Sequence, residues 1–219
     1  MTLADHANQL IQASLTTPRP CVTSSFQADC VALIDLIAAV RPGIPVLFLD
    51  TGYHFPETYQ YRADIANRLN LNVINLQAPK TVAEQESEFG ILYETAPDKC
   101  CGFRKVEPLF TGLSNYDTWF TALRRDQSPT RASLQESASF ALPNGAMIQK
   151  VSPLAAWTMK DVWAYLKSRG IPVMPLYEKG YTSIGCAPCT ALPTLEGGDR
   201  SGRWGGKKLE CGIHIQASS

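Results

Sequence analysis

The sequence predicts an α/β fold in which helices cover a doubly wound, mostly parallel sheet. Residues 46–49 form an apolar run without polar alternation, which is typical of a strand buried on both faces. Strand and helix patterns then alternate up to residue 76, the order expected of parallel strands joined by helical crossovers. Because 219 residues are enough for one ordinary core, we expect a single α/β domain.

Proline, glycine and capping residues set the expected element boundaries. Thr158 and Asp161 have the spacing of a capping box and predict the start of a helix. From residue 81 the pattern is helical, with short helices on either side of a cysteine pair. The predicted helices are 2–16, 29–40, 57–69 and 162–168, and the predicted strands are 21–23, 46–49, 71–76, 119–123 and 147–151.

Composition excludes several functional classes. Twenty basic residues balance twenty acidic ones, which argues against a broad basic surface for nucleic acid. No apolar run is long enough to span a bilayer, and the first residues lack the pattern of a secretion signal. Seven cysteines without such a signal favour metal or redox use in the cytosol. We therefore expect a cytoplasmic protein without nucleic-acid or membrane partners.

The sequence divides into a main domain, 1–195, and a C-terminal segment, 196–219. Residues 196–208 contain five glycines and four basic residues. This composition predicts a mobile tail that lies outside the packed core.

Two polar loops are candidate anion sites. Ser24 and Ser25 lie between a strand and a helix N-terminus, where free N–H groups attract anions, although an ordinary N-cap would look the same. Arg124, Arg125 and Arg131 follow the strand predicted at 119–123 and suit phosphate or sulfate, although a solvated charged turn is the alternative. Together with the loop Asp50-Thr51-Gly52, also at a strand end, they predict one pocket.

Four of the cysteines form a metal-binding pattern. Cys100 and Cys101 are adjacent among basic residues, and Cys186 and Cys189 have CxxC spacing. Four thiolates suit zinc or an iron–sulfur cluster. Because zinc sites generally use two CxxC-type pairs, the contiguous pair favours iron–sulfur, with zinc or plain buried thiols left open. Cys21 and Cys30 lie in apolar segments and are assigned to packing.

Cys211 is the candidate nucleophile. It directly follows the glycine-rich segment, in the sequence ECGIH. An exposed thiol near a mobile terminus oxidises readily, so its presence there suits a nucleophile that reaches a substrate and is then presented to another thiol. Lys207, Lys208 and His214 would favour its thiolate. An incidental tail cysteine is the alternative.

With these features together, the chain resembles the assimilatory sulfonucleotide reductases, in particular those of the iron–sulfur adenylyl-sulfate type. The resemblance covers essentially the whole chain. The residues that carry it are the 23–29 loop, Asp50-Thr51-Gly52, the helix at 158–166 and the motifs CCGFRKVEPL, ALRRDQSPTR, GCAPCT, DRSGRW and ECGIH.

The resemblance implies a PP-loop-like adenine nucleotide α-hydrolase fold and one 4Fe–4S cluster on the four cysteines. Its implied reaction is reduction of adenosine 5′-phosphosulfate to sulfite and AMP, in sulfate assimilation and cysteine biosynthesis. Cys211 would carry an S-sulfocysteine intermediate, and thioredoxin or a glutaredoxin-like dithiol would release sulfite. A homo-oligomer is left open. The implied substrate contacts are Ser24, Ser25, Asp29, Asp50, Thr51, Gly52, Lys105, Arg124, Arg125, Arg200, Arg203 and His214.

The sequence departs from the family pattern at two places. Gln27 stands where related chains often carry glycine, and Asp29 is a single acidic residue in place of the usual pair. This leaves the choice between the substrate and its 3′-phosphorylated form open. Residues 204–208 read WGGKK, where many relatives have aromatic or acidic residues, which leaves the closed geometry of the tail open.

Other functions remain as alternatives. A reductase of the 3′-phosphorylated nucleotide is the nearest, although such enzymes generally lack the cluster cysteines. An ATP-using PP-loop ligase or sulfurtransferase would need an SGGxDS-type loop, which is absent. A catalytically silent, zinc-bound nucleotide sensor is the third.

Overall fold

The computed structural model describes residues 2–194, 198, 200–206 and 212–213. Within them, a six-stranded sheet has the order β3-β2-β1-β4-β6-β5. All neighbouring strands are parallel except β5, which pairs antiparallel with β6 at one edge. The strands are β1 (Pro20–Ser24), β2 (Pro45–Asp50), β3 (Asn72–Gln77), β4 (Thr118–Phe120), β5 (Ser137–Ala141) and β6 (Met147–Val151).

The α-helices connect these strands in the predicted alternation. Capping boxes begin three of them, at Thr2, Thr81 and Thr158, and the last confirms the capping box predicted at that residue. The helices are α1 (Leu3–Ser14), α2 (Ala28–Val40), α3 (Pro56–Arg68), α4 (Val82–Phe89), α5 (Leu92–Thr95), α6 (Pro97–Cys101), α7 (Glu107–Leu113) and α8 (Met159–Ser168), with a π-helix at Gly102–Val106.

The sheet has a hydrophobic core on each face, as the apolar run of β2 predicts. Val46 and Phe48 pack into the cluster beneath α1, α2, α3 and α8. Leu47, between them, packs into the opposite cluster with Leu109 and Trp119. Alternate side chains of one strand therefore enter two cores.

Two local predictions are wrong, and one strand was not predicted. The strand predicted at 119–123 ends at Phe120, because the chain then leaves the sheet to line a cavity. The cysteine pair lies inside α6 rather than between helices. β5 was not predicted, because its solvent-facing residues carry little apolar signal and four of its five positions are exposed.

The connection order creates a crevice beside β1. β1 leads to β2 on one side, whereas β4 pairs with its other side. At such a switch point the loops after neighbouring strands separate, and open α/β sheets bind ligands there. Within the described residues, no helix is long and apolar enough to cross a bilayer.

Candidate active site

A cavity of about 170 Å³ opens at this crevice. Its walls are the loop after β1, the loop after β4, the segment Ile184-Gly185 and the arginines of the C-terminal segment. The charged side chains that line it are Asp29, Lys105, Arg131, Arg200 and Arg203. Four of these are basic, so the cavity suits an anionic ligand.

The loop after β1 is held in a tight turn. Ser24 Oγ accepts a hydrogen bond of 2.9 Å from the backbone N–H of Phe26. Phe26 has a φ of 56°, which is uncommon for a residue with a side chain, and its ring is fully buried. Burial of that ring fixes the turn. Ser24 and Ser25 both line the cavity.

Asp29 forms a buried part of the cavity wall. Burial raises the pKa of its carboxyl, an effect that the nearby Arg124 partly offsets. Cys30 N–H donates to its Oδ1 at 3.0 Å, and Gln127 Nε2 donates to its Oδ2. Gln127 also accepts from Arg131, so one amide joins the two loops and orients an arginine at the cavity.

The three arginines after β4 separate in the structure. The guanidinium of Arg124 lies behind the wall, buried against Asp126 and 3.8 Å from Asp29. Arg125 turns away and donates to the carbonyl of Leu134 at 3.0 Å. Arg131 lines the cavity. The sequence placed all three in one loop but assigned the anion contact to Arg124 and Arg125, because spacing alone does not show which side chain turns inward.

The loop after β2 faces the cysteines. Thr51 is fully buried and its Oγ1 lies 3.3 Å from Cys186 Sγ. Asp50 accepts from Tyr59 Oη at 2.7 Å and from Gln77; although burial opposes ionisation, these bonds lower the pKa of Asp50. Gly52 has a φ of 73°. Contrary to the prediction of one shared pocket, these three residues are not among the described residues that line the anion cavity, and Thr51 contacts Cys186 instead.

A second cavity is lined by Cys100, Cys101, Cys186 and Cys189. Cys101 and Cys186, which are 85 positions apart in the chain, therefore line one cavity, as the sequence predicted. Arg104 and Lys105, both buried, line it too. Within the described residues, no group of three or more His, Cys, Asp or Glu side chains is arranged to hold a metal ion as it stands.

The thiols of this cavity have different electrostatic environments. Burial and the three neighbouring thiols raise the pKa of Cys100 to about 11. Burial likewise raises the pKa of Cys189. At Cys186 burial also opposes ionisation, but Lys105 and the hydrogen bond from Thr51 outweigh it, so its pKa is lowered.

Lys105 lines both cavities. It lies in the π-helix, an unusual turn that is frequent at functional sites. His54 also connects the two sites: it lines the anion cavity, and its backbone forms a β-bridge with Cys186, which lines the cysteine cavity. Its Nε2 donates to Leu49 O at 2.8 Å, and burial lowers its pKa, so the neutral ring is favoured. His54 was not predicted as a site residue, since a single histidine in a loop forms no recognisable sequence pattern.

Part of the C-terminal segment packs against the domain. Arg203 and Trp204 are buried, and the guanidinium lies 4.5 Å from the indole centroid. Ala191 N–H donates to Gly202 O at 2.8 Å, and Thr190 forms a bridge with Arg203. The prediction that this segment lies outside the core is wrong for these residues, because aromatic burial and backbone pairing outweigh the flexibility of the glycines.

The cysteine predicted as nucleophile, Cys211, and His214 lie outside the described residues. Their neighbour Ile213 lines the anion cavity. An added Cβ on Gly212 would lie 3.6 Å from Val106 Cγ2, at the end of the π-helix.

Comparison with known proteins decides the family. The family model for the phosphoadenosine phosphosulfate reductase domain matches residues 19–192. The chain belongs to this family. The resemblance read from the motifs is thereby confirmed.

Curated relatives support the same assignment. The adenosine 5′-phosphosulfate reductase of Streptomyces coelicolor is 47% identical over 199 residues, which cover 90% of this chain and 82% of that protein. The protein of the same name from Mycobacterium tuberculosis is 48% identical over 195 residues, covering 88% of this chain and 75% of its own length.

Solved structures confirm the predicted fold class. The phosphoadenylyl-sulfate reductase of Candida auris, solved as a phosphate complex, superposes with a TM-score of 0.72. At 24% identity it covers 84% of this chain and 90% of its own. An FMN adenylyltransferase of Candida glabrata has a TM-score of 0.65 at 16% identity, covering 86% of this chain and 64% of its own.

The guanidinium of Arg203 packs directly against Gly185, where there is no room for a Cβ atom. A Cβ added at Gly185 would lie 2.1 Å from one guanidinium nitrogen of Arg203. Because Arg203 is buried against Trp204, it cannot swing aside freely. We expect Gly185→Ala to weaken AMP binding by about tenfold, the loss of one charge-assisted contact, as measured by calorimetry.

Gly198→Ala is the matched control, because an added Cβ there meets no atom within 4 Å among the described residues. Equal AMP affinity in Gly185→Ala and the wild type would contradict this role of Arg203.

Proposed function

We propose that this protein reduces adenosine 5′-phosphosulfate to sulfite and AMP, with electrons from a thioredoxin or glutaredoxin-like dithiol. The observation that carries the proposal is the position of Lys105, which lines both the anion cavity and the cavity of the four cysteines. The names of the relatives at 47–48% identity support the unphosphorylated nucleotide as substrate. We place the reaction in the cytosol, where free thiols persist.

The crevice supplies the contacts that a phosphosulfate needs. Ser24 and Ser25 present hydroxyl groups beside the N-terminus of α2, where the helix dipole favours anions. Arg131, Arg200 and Arg203 bring guanidinium groups, which match phosphate and sulfate oxygens. Arg124 does not line the anion cavity but holds the carboxylate of Asp29, which does. Asp50, Thr51, Gly52 and Arg125 support the surrounding loops rather than the ligand.

Cys211 is the proposed catalytic nucleophile. Its thiolate attacks the sulfur of the phosphosulfate, so that an S–S bond forms while the bond from sulfur to the bridging oxygen breaks and AMP leaves with the electron pair. A thiolate of the dithiol then attacks Cys211 Sγ and expels sulfite. The second thiol closes the disulfide and returns Cys211 to its thiolate form. His214 is assigned a contact with the bound substrate.

The cysteine cavity fits an iron–sulfur cluster. Cys100, Cys101, Cys186 and Cys189 offer the four thiolates that a 4Fe–4S cluster takes, and the buried Arg104 supplies positive charge nearby. In the described structure Arg104 has one buried guanidinium nitrogen without a hydrogen-bond partner, as expected beside sulfur acceptors. The four cysteines would hold such a cluster, which would supply negative charge near Lys105, the residue that lines both cavities.

Anaerobically purified protein tests substrate and cofactor together. We expect a brown protein with a broad absorption band near about 400 nm, as iron–sulfur ligation implies, and sulfite formation from adenosine 5′-phosphosulfate with reduced thioredoxin. Clear preference for the 3′-phosphorylated nucleotide would overturn the substrate choice. A colourless protein with one zinc would overturn the cluster, and pyrophosphate release from ATP would favour a PP-loop ligase.

A further inference from the structure

Gln27 connects the two loops that meet at the anion cavity. It occupies the N-cap position of α2, but its side chain makes no capping bond to that helix. Instead its Nε2 donates to Ser25 Oγ at 3.1 Å, and its Oε1 accepts from the backbone N–H of Ile184 at 2.8 Å. Gln27, Ser25 and Ile184 all line the cavity.

The orientation of this amide is fixed by chemistry. A backbone N–H can only donate, so the group of Gln27 that meets Ile184 has to be the carbonyl oxygen. The NH₂ group is then the part that faces Ser25. Ser25 Oγ therefore accepts from Gln27, and its single hydroxyl proton is left to point elsewhere.

Among the described residues, the remaining partner of Ser25 is weak. Cys30 Sγ lies 3.5 Å from Ser25 Oγ, and burial raises the pKa of Cys30 to about 12, so it is a neutral thiol and a poor acceptor. An anionic phosphate oxygen in the cavity is a much stronger acceptor. Gln27 thus leaves the hydroxyl proton of Ser25 available to the ligand.

The other end of Gln27 holds the loop that carries two cysteines. Beyond Ile184 this loop is tied internally, since Thr190 Oγ1 accepts from Gly185 N–H and donates to Cys186 O. Ala187 N–H donates to Tyr53 O at 2.7 Å. The loop therefore behaves as one unit, and the bond from Ile184 to Gln27 ties that unit to the loop of Ser25.

We propose that Gln27 is a positioning residue for the substrate anion. It directs the hydroxyl proton of Ser25 into the cavity, and it holds the loop after β1 in register with the loop of Cys186. The proposal rests on the proposed function in taking the phosphate of the nucleotide as the anion. It adds a role for a residue whose own atoms need not touch the substrate.

Two substitutions separate the two bonds. Gln27→Met removes both, whereas Gln27→Glu keeps an acceptor for Ile184 but would draw the hydroxyl proton of Ser25 to its carboxylate. We expect both to weaken AMP binding by about tenfold, the loss of one hydrogen bond to a charged oxygen. Calorimetry on the cluster-containing protein measures this, and its absorption spectrum reports whether the cysteine loop is intact. Wild-type affinity in Gln27→Glu would overturn the donor role.

A double-mutant cycle with Ser25→Ala distinguishes positioning from a merely structural effect. In the Ser25→Ala background, we expect Gln27→Met to weaken AMP binding clearly less than in the wild type, since the hydroxyl that it orients is gone and only the bond to Ile184 is lost. In turnover, the KM for adenosine 5′-phosphosulfate should rise while kcat stays within about twofold, the signature of lost binding that is equal in ground and transition states. Additive effects of the two substitutions would overturn the proposal.

Gln60→Met is the matched control, because Gln60 is an exposed α3 residue that bonds only to Asp64 among the contacts described.

Failure of the proposed function would give a different result from failure of the role of Gln27. A wild-type protein that binds AMP but forms no sulfite would contradict the proposed reaction, whereas the binding cycle would still decide the role of Gln27. A wild-type protein that does not bind AMP would overturn both.

Discussion

Cys211→Ser is expected to abolish sulfite formation while AMP still binds and the cluster absorption is retained. A serine hydroxyl is hardly ionised at neutral pH and attacks sulfur poorly, so the first step should stop. The loss should reach at least about a thousandfold in kcat, since removal of a nucleophile eliminates the covalent route. Sulfite assays with reduced thioredoxin measure it, and mass spectrometry of the wild type should detect the S-sulfonated protein.

Cys21→Ala is the appropriate control for this result. Cys21 is fully buried in β1, where burial raises the pKa of its thiol, and it packs in the cluster of Leu47 and Trp119. Its loss should lower the free energy of unfolding by about 1 kcal/mol, the scale of a small core truncation, without changing turnover of the folded protein. Sulfite formation by Cys211→Ser at an appreciable rate would exclude the proposed intermediate.

Lys105→Met should have the next largest effect, a fall in kcat/KM of about a hundredfold. The substitution keeps most of the aliphatic volume but removes a buried positive charge that lies between the anion cavity and the thiolates. An anionic substrate would then approach the cluster ligands without compensation. Steady-state kinetics measures the loss, and the absorption spectrum is expected to change on AMP binding in the wild type but not in the variant.

Lys99→Met serves as the control for charge alone. Lys99 is exposed on the outer side of α6, where its ammonium lies 4.3 Å from the ring centroid of Phe89. The substitution Lys99→Met removes the same charge from the same short region of the chain, but Lys99 does not line either cavity. If both lysine variants lost activity equally, net charge near the cysteine pair rather than the placement of Lys105 would be responsible.

The sequence predicted the fold because its strongest signals are periodic and local. The apolar run of β2 predicted a strand buried on both faces, and Val46, Leu47 and Phe48 fill two cores. The spacing from Thr158 to Asp161 predicted the cap of α8. Each of these depends on neighbours within a few residues, which a single sequence shows directly.

The details of the site depend on side-chain direction instead. Arg124 and Arg131 lie in one loop, yet one is buried behind the wall and the other lines the cavity. That difference arises from Asp29, which lies 3.8 Å from Arg124 across the crevice, and from Gln127, which joins Arg131 of its own loop to Asp29. Such contacts between distant residues leave no periodic trace in one sequence, so the residue type was predictable and its orientation was not.

The burial of Trp204 could not be predicted from the sequence for another reason. Glycine-rich composition predicts disorder on average, but Gly202 is required where it stands, because an added Cβ would lie 2.0 Å from Ala191 O. Here glycine permits close packing of two backbones. Composition alone does not distinguish that use of glycine from flexibility.

The π-helix at Gly102–Val106 makes the chain length of this region matter in addition to the identity of Lys105. A π turn contains about one more residue than an α turn, and this extra residue sets the angle between the cysteine pair of α6 and the start of α7. Deleting one residue would convert this turn to an α turn and would change the position of Lys105 relative to the cysteine pair. An insertion or deletion in this segment is therefore expected to disturb the cysteine cavity even where Lys105 itself is kept.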